Sequence, residues 1–376
     1  MNAPVPNPLL GLRRLGESVW LDDISRRMLR DGSLARLIEA DGLAGLTSNP
    51  AIFAHAMMSD GEYAQPIARL GREFSSGLEV YEELAVEDLR AAAALLRPLY
   101  DATGGADGFV SLEVSPHLAD DPDASLAEAR RLWERLQLPN VFIKIPGTEA
   151  ALPVIRALIA AGINVNVTLL FSPERYRAVA LAYMEGLGMR AAAGEPLARV
   201  ASVASFFLSR IDTAVDKLLD ELSAHGQPAA RMLRGKAAIA SACRAYEIFE
   251  ELSARPEWQA LAAQGARAQR LLWASTSTKD PAYSPIKYVE ELVVPGTVNT
   301  MPLETLTAYR RLGRPELRLE RHIAAGCDAR EGLERLDIDL EAVAQQLERE
   351  GLRKFVEPFD ALQTWLEERR RGARAS

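Results

Sequence analysis

Val141-Phe142-Ile143-Lys144-Ile145-Pro146 is the stretch on which the fold turns. Successive side chains of a strand point to opposite faces, so Val141, Ile143 and Ile145 share one face while Phe142 and Lys144 share the other. A parallel strand covered by helices is ordinarily apolar on both faces, and a lysine on the inner one needs an explanation. The next β-rich run repeats the pattern: in 164–170, Asn164, Asn166 and Thr168 oppose Val165, Val167 and Leu169. In 109–114, Ser111 and Glu113 oppose Leu112 and Val114. A polar inner row on neighbouring strands means either a wet, functional interior or groups that pair with one another.

Working outward, further β-rich runs lie at 18–22, 45–49, 200–207, 271–276 and 297–302, which makes eight in all. Segments of helical period separate them, such as 125–137, 149–161 and 173–186, each opening on Ser, Pro or an acidic residue. Strands alternating with helices are the pattern of parallel βα units, and eight of them predict an α/β fold of the (β/α)8 TIM-barrel type. The length beyond the roughly 250 residues of a minimal barrel falls in 50–108, in 208–270 and after 303. These stretches have helical periodicity of their own, as in 77–100, and predict added helices, with a C-terminal helical extension over 303–376. No linker or low-complexity tract interrupts the chain, so residues 1–376 read as a single domain with its strands between 18 and 302. The tail at 369–376, Arg-Arg-Arg-Gly-Ala-Arg-Ala-Ser, is expected to be frayed and exposed.

Composition narrows the function. The 376 residues are 48% hydrophobic and 26% charged, with a net charge of −8, which sets the chain apart from collagenous, disordered and disulfide-scaffold proteins. An acidic balance argues against a nucleic-acid binder, whose affinity rests on neutralising phosphates. Two cysteines, Cys243 and Cys327, make no disulfide framework, and the N-terminal stretch lacks the apolar core of a signal peptide. The apolar region from Ala150 to Phe171 is broken by Arg156, Asn164, Asn166 and Thr168, so no membrane partner is expected. A cytoplasmic protein follows. His55, His117, His225 and His322 lack zinc-site spacing, and no metal is expected. The Gly-rich 103–108 precedes a strand, the wrong order for a phosphate loop, and reads as a turn. Trp20, Trp133, Trp258, Trp273 and Trp365 read as packing residues.

Lys144 has two readings. One is a buried ion pair with Glu113 on the preceding strand. The other is a nucleophilic amine that forms a Schiff base with a carbonyl substrate. Inward residues on adjacent strands sit about 4.8 Å apart, which gathers Glu113, Lys144 and Asn166 or Thr168 around one spot. Schiff-base chemistry needs proton transfers at several steps, so a carboxylate and a hydroxyl there have a use. Asp22 shares a face with Trp20 and is a better candidate base than Asp23; the alternative is that either one caps the helix expected over 24–30. Arg210 and Lys279 follow the sixth and seventh strands, at the mouth where barrel enzymes place their sites, and can hold a phosphate. The alternative for Arg210 is a surface ion pair with Asp212 or Asp216.

Four segments together, Leu46–Phe53, Val141–Thr148, Ile163–Ser172 and Val203–Asp212, resemble the signatures of the transaldolase family, a class I aldolase-like barrel group. The match runs in order over nearly the whole chain, and its length and the 274–302 segment resemble the longer bacterial type. The resemblance implies that Lys144 is the Schiff-base lysine, that Asp22 is the general acid/base, and that Glu113 and Thr168 hold a catalytic water. It implies that Thr47, Asn49 and Asn166 bind substrate hydroxyls and that Ser205 and Arg210 bind phosphate. Phe207 stands where aldolase-only relatives carry Tyr, which favours transfer. The family's second phosphate arginine follows an Ala-Ser pair; here Ser275 completes that pair and Lys279 stands in for the arginine.

The implied activity is a transaldolase of the pentose phosphate pathway, working without a cofactor on sugar phosphates as a monomer or homodimer. It moves a dihydroxyacetone unit from sedoheptulose 7-phosphate to glyceraldehyde 3-phosphate. The competing readings are a Schiff-base fructose 6-phosphate aldolase and a catalytically inactive sugar-phosphate-binding barrel.

Overall fold

The computed structural model describes residues 7–375. Eight parallel strands close into a barrel in sequence order: β1 (Ser18–Asp22), β2 (Gly45–Thr47), β3 (Phe109–Glu113), β4 (Val141–Pro146), β5 (Val165–Leu170), β6 (Ser202–Phe207), β7 (Arg270–Ala274) and β8 (Val298–Met301). β1 pairs with β8, so the sheet has no edge. The expected (β/α)8 architecture is therefore the observed one. The expected long connections hold helices such as Pro50–Ser59, Gly77–Ala102 and Ala237–Ser253, and Leu303–Leu312, Leu319–Glu334 and Leu340–Ala375 follow the last strand.

Alternation sorts the side chains as the strand pattern requires. Val141, Ile143, Ile145, Val165 and Val167 point outward into the large apolar layer between barrel and helices. Trp20, Phe109, Phe142, Val203, Leu272 and Val298 point inward and fill the lower barrel. Phe109 and Phe142 stack there at 4.3 Å, and Trp20 leans on Phe142 at 6.0 Å. Gly45 admits that indole, because a Cβ at this position would lie 2.5 Å from its ring. This apolar plug leaves only the upper, C-terminal part of the barrel for chemistry.

β2 ends at Thr47, two residues before the expected limit, because Asn49 is recruited as the N-cap of Pro50–Ser59 and its side chain accepts the Ile52 N–H. Neither Asp22 nor Asp23 caps a helix; Ser25 caps Arg26–Arg30 through the Met28 N–H, which removes the capping alternative for both aspartates. β5 carries a bulge between Val167 and Leu170, and Leu169 within it adopts a left-handed backbone with φ 60°. Such strain in a non-glycine residue persists only where its surroundings hold it, and it falls here immediately after Thr168.

The frayed tail is corrected. The C-terminal helix continues to Ala375, with only Ser376 of that tail outside the described residues. Arg374 donates to the Gly71 and Phe74 carbonyls, and Gly71 lets the two helices approach so closely that a Cβ would stand 3.0 Å from the Arg370 Cα. The run is largely exposed, as expected, but not free: Arg374 is held by carbonyls from a segment some 300 residues away, and Arg370 and Arg371 by Glu367.

Candidate active site

Register brings the upper inner row together. Glu113 on β3 stands beside Lys144 on β4, and Lys144 beside Asn166 on β5. Lys144, 3% exposed, donates to the Ser48 carbonyl at 3.0 Å and lies 3.2 Å from Glu113 Oε2. Ser48 is fixed by its own hydroxyl, which donates to the Ser111 carbonyl at 2.7 Å. The ion pair considered for Lys144 thus exists, but it does not satisfy the carboxylate: neither Glu113 oxygen has a well-formed hydrogen bond. Burial pushes this carboxyl up from its ordinary 4.5 to about 7, against the pull of the Lys144 ammonium, with the Asp22 charge adding to the rise. Thr168 Oγ1 is likewise buried without a partner. A purely structural pair would leave neither group wanting.

Asp22 closes the first-strand side of the chamber. Thr47 donates to its Oδ1 at 2.7 Å, and the Thr47 hydroxyl is 2.9 Å from that of Thr300 on β8. Burial raises the Asp22 carboxyl, offset by the Lys144 charge, the Thr47 hydrogen bond and, more weakly, Lys279. Beneath Lys144, Asn166 donates to Ser111 Oγ at 3.1 Å and accepts from Ser205 Oγ at 2.7 Å. This chain crosses from β3 to β6 and fixes which end of the Asn166 amide faces which neighbour. Ser205 is therefore part of the chamber floor, and Asn49 spends its side-chain oxygen on the helix cap.

Arg210 opens the helix Ser209–Ala224 that follows β6. It makes no ion pair with Asp212 or Asp216, which corrects that alternative. Asp212 is taken by the Ala238 N–H, Lys287 and Tyr288, each at 2.8 Å, and Asp216 by the Gly235 N–H and Tyr283. One guanidinium nitrogen of Arg210 is buried with no partner, and the Phe207 ring lies 5.9 Å from its centre. Burial lowers the pKa of Arg210, and the Glu350 carboxylate partly restores it. Ser275, in a left-handed conformation, places its hydroxyl 2.8 Å from that of Ser209, beside Arg210. Lys279 is exposed, donates to Ser277 Oγ at 2.8 Å and borders an outer cleft with Asp212, Asp216 and Tyr283.

Several residues of this chamber escaped the sequence. Alternation along β3 places Ser111 on the inner row without a role, and Thr300 was accessible to the sequence, since alternation along β8 turns it inward. Phe355 was not. It comes from the helix Leu340–Ala375, lies 5.6 Å from the Lys144 nitrogen and is 4% exposed. Of the histidines, His117 faces Asp360 at 2.6 Å, His322 faces Glu291 at 2.5 Å and His225 contacts the Glu221 carbonyl at 2.7 Å. Among the described residues no group of three or more His, Cys, Asp or Glu is placed to hold a metal ion, and no helix is long and apolar enough to cross a membrane.

Comparison with known proteins bears on this constellation. Residues 19–366 match the profile of the Transaldolase/Fructose-6-phosphate aldolase family. A curated protein named Transaldolase from Thiobacillus denitrificans is 47% identical over 349 residues, covering 93% of this chain and 96% of its own. Transaldolase 2 of Nostoc sp. is 45% identical over 369 residues, with 96% and 97% covered. Transaldolase 1 of Streptomyces avermitilis is 48% identical over 357 residues, with 93% of each covered.

Proposed function

The chain belongs to the transaldolase/fructose-6-phosphate aldolase family of enzymes, and we propose that within it the chain is a transaldolase whose Schiff base forms on Lys144. The observation that carries this reading is the contact of an amine, buried on the inner face of β4, with a carboxyl that has no other partner.

Lys144 hands a proton to Glu113 and attacks the ketone of a ketose phosphate such as sedoheptulose 7-phosphate. Dehydration of the carbinolamine needs a donor that then becomes an acceptor, and a carboxyl poised near 7 serves both duties at neutral pH. A water molecule between Glu113 and Thr168 would satisfy both of these orphaned groups and carry the proton. Asp22, oriented by Thr47, takes the C4 hydroxyl proton as the C3–C4 bond breaks and erythrose 4-phosphate leaves. The iminium withdraws the electrons of that bond. The resulting enamine adds to glyceraldehyde 3-phosphate, and hydrolysis releases fructose 6-phosphate.

The same reading assigns Asn166, Thr47 and Asn49 to the sugar hydroxyls, and Ser205, Ser275, Lys279 and Arg210 to the phosphate, with the Phe207 ring beside Arg210. The unpaired guanidinium edge of Arg210 supports it as the principal phosphate ligand, able to grip an anion on two nitrogens. On a chain of net charge −8 that local cation must overcome the overall field. Arg210→Ala should raise KM for phosphorylated substrates about 10- to 100-fold with a smaller change in kcat; an unchanged KM removes it from the phosphate site.

The same reading makes the protein one domain, because the C-terminal helix contributes Phe355 to the chamber. It makes it a cytoplasmic enzyme of the pentose phosphate pathway, monomeric or homodimeric, with no nucleic acid or membrane among its partners. Borohydride reduction with fructose 6-phosphate present should leave a covalent adduct on Lys144 and nowhere else. An unmodified Lys144 would sink the proposal in favour of an inactive sugar-phosphate-binding barrel. Sustained dihydroxyacetone release from fructose 6-phosphate without an acceptor aldehyde would shift it to an aldolase.

A further inference from the structure

The helix Leu340–Ala375 crosses the mouth of the barrel with a buried stripe of Ala344, Leu347, Gly351, Phe355, Phe359, Leu362 and Leu366, spaced three or four apart. Three contacts fix where it sits. Gly351 packs on Leu169, the left-handed residue of the β5 bulge, where a Cβ would stand 3.0 Å from the leucine side chain. Phe359 meets Tyr81 edge-on at 5.5 Å, and Asp360 faces His117 at 2.6 Å. Phe355 lies between these anchors, one turn from each of Gly351 and Phe359, and its ring is the aromatic surface within 6 Å of the Lys144 nitrogen. It is held over the reacting atom by a segment the barrel does not need for closure.

We propose that Phe355 is a specificity-determining residue of the Lys144 reaction: its ring keeps bulk water from protonating the carbon of the three-carbon enamine, so that the fragment waits for an acceptor aldehyde. This rests on the Schiff-base reading of Lys144. Premature release proceeds by protonation of the enamine at carbon, addition of water to the iminium carbon and cleavage of the C–N bond. Dihydroxyacetone leaves with the oxygen of that water, and the amine returns to Lys144. Transfer instead joins the same enamine carbon to the aldehyde carbon. Hydrolysis of an iminium ends both paths, so the two fates separate at the enamine carbon, which takes a proton relayed by water or bonds to the aldehyde. An apolar ring beside the nitrogen limits the first without touching the acceptor. A cationic iminium is also favoured against the face of the ring.

The test measures two rates on one protein: dihydroxyacetone release from fructose 6-phosphate alone, and transfer when erythrose 4-phosphate is added. Phe355→Ala should raise the ratio of release to transfer about tenfold or more, a change of about 1.4 kcal/mol in the balance of the two barriers. Phe355→Leu, which keeps most of the apolar cover, should fall between Phe355→Ala and the parent. Should Phe355→Ala not fold by circular dichroism, Phe355→Leu alone decides, by a raised or an unchanged ratio. Borohydride trapping is run on each protein. Normal trapping on Lys144 with an unchanged ratio, or with both rates falling together, overturns the role of Phe355 and leaves the Schiff base standing. Absence of trapping in the parent protein overturns the Schiff base, and this proposal with it.

Discussion

The two ends of the barrel are both polar, and they treat their polar groups in opposite ways. At the lower end Arg270 makes five hydrogen bonds, to the Gly296, Ala106 and Thr297 carbonyls, to Asp107 and to Ser18. Ser18 and Trp20 also donate to Asp107. Asn164 donates to two carbonyls and accepts the Ala201 N–H, and Asn140 donates to two more. Within this ring one acceptor each on Asn140 and Gln269 stays open, and beside it Glu17 and Asn299 are buried without a well-formed hydrogen bond, scattered outside the barrel interior. At the upper end Glu113, Thr168 and Arg210 bury polar atoms that the protein leaves unpartnered. Residue types and burial are similar, so polarity alone does not mark the site. What marks it is hydrogen-bonding capacity kept in reserve around one inward lysine and at the barrel mouth, a cost of about 1–3 kcal/mol per group.

That contrast is most exposed to Lys144→Ala. Turnover should fall on the order of 10³-fold or more while circular dichroism and the melting curve stay close to those of the parent. Unfolding of the variant at room temperature would make Lys144 a member of the self-satisfied class instead.

Glu113→Gln tests the reserve at the carboxylate and should cost about 100-fold in kcat. The parent's kcat profile should show a limb near the pH where Glu113 titrates, about 7, and the variant should lack it. Stability follows with a definite sign. Folded Glu113 keeps a proton that the unfolded chain releases near its ordinary 4.5, so the native state binds more protons between 4.5 and about 7. Stability therefore falls as pH rises through that window, and Glu113→Gln should flatten the slope. A parent whose stability rises there would contradict the assignment.

The lower ring should respond in the opposite sense. Arg270→Ala is expected to cost about 2–3 kcal/mol, seen as a lower denaturation midpoint, while kcat per folded molecule stays at the parent's value. A lost kcat with unchanged stability would erase the distinction between the two ends.

Thr168→Val gives the smallest effect and the sharpest sign. Removing an orphaned buried hydroxyl with an isostere should leave stability equal or about 0.5–1 kcal/mol higher, while kcat falls about tenfold. A clear loss of stability would show that the hydroxyl has a protein partner after all.

The alternation in 141–146 and 164–170 was sufficient to aim Lys144, Asn166 and Thr168 inward, because period-2 geometry is local and needs no knowledge of the rest of the chain. The lower-end role of Asn164 was not legible, although it belongs to the same inner row. Depth along the axis depends on the neighbouring strands, and two residues separate a loop-tying asparagine from the chamber. The same limit applies to Asp22 and Asp23: face parity favoured Asp22, but only Ser25, folded back as the cap, frees both from the helix start.

The strand count, the inward lysine and the family were fixed by the chain alone, since each depends on residue order and the two-residue period of an extended backbone. Which inward groups are paired and which are held open, the release of Arg210 from its aspartate neighbours, and the arrival of Phe355 over Lys144 were decided only by tertiary packing. Partners such as Ser111 with Asn166, or Lys144 with Phe355, lie 55 and 355 − 144 = 211 residues apart, and no local rule connects them until the barrel closes and the last helix docks.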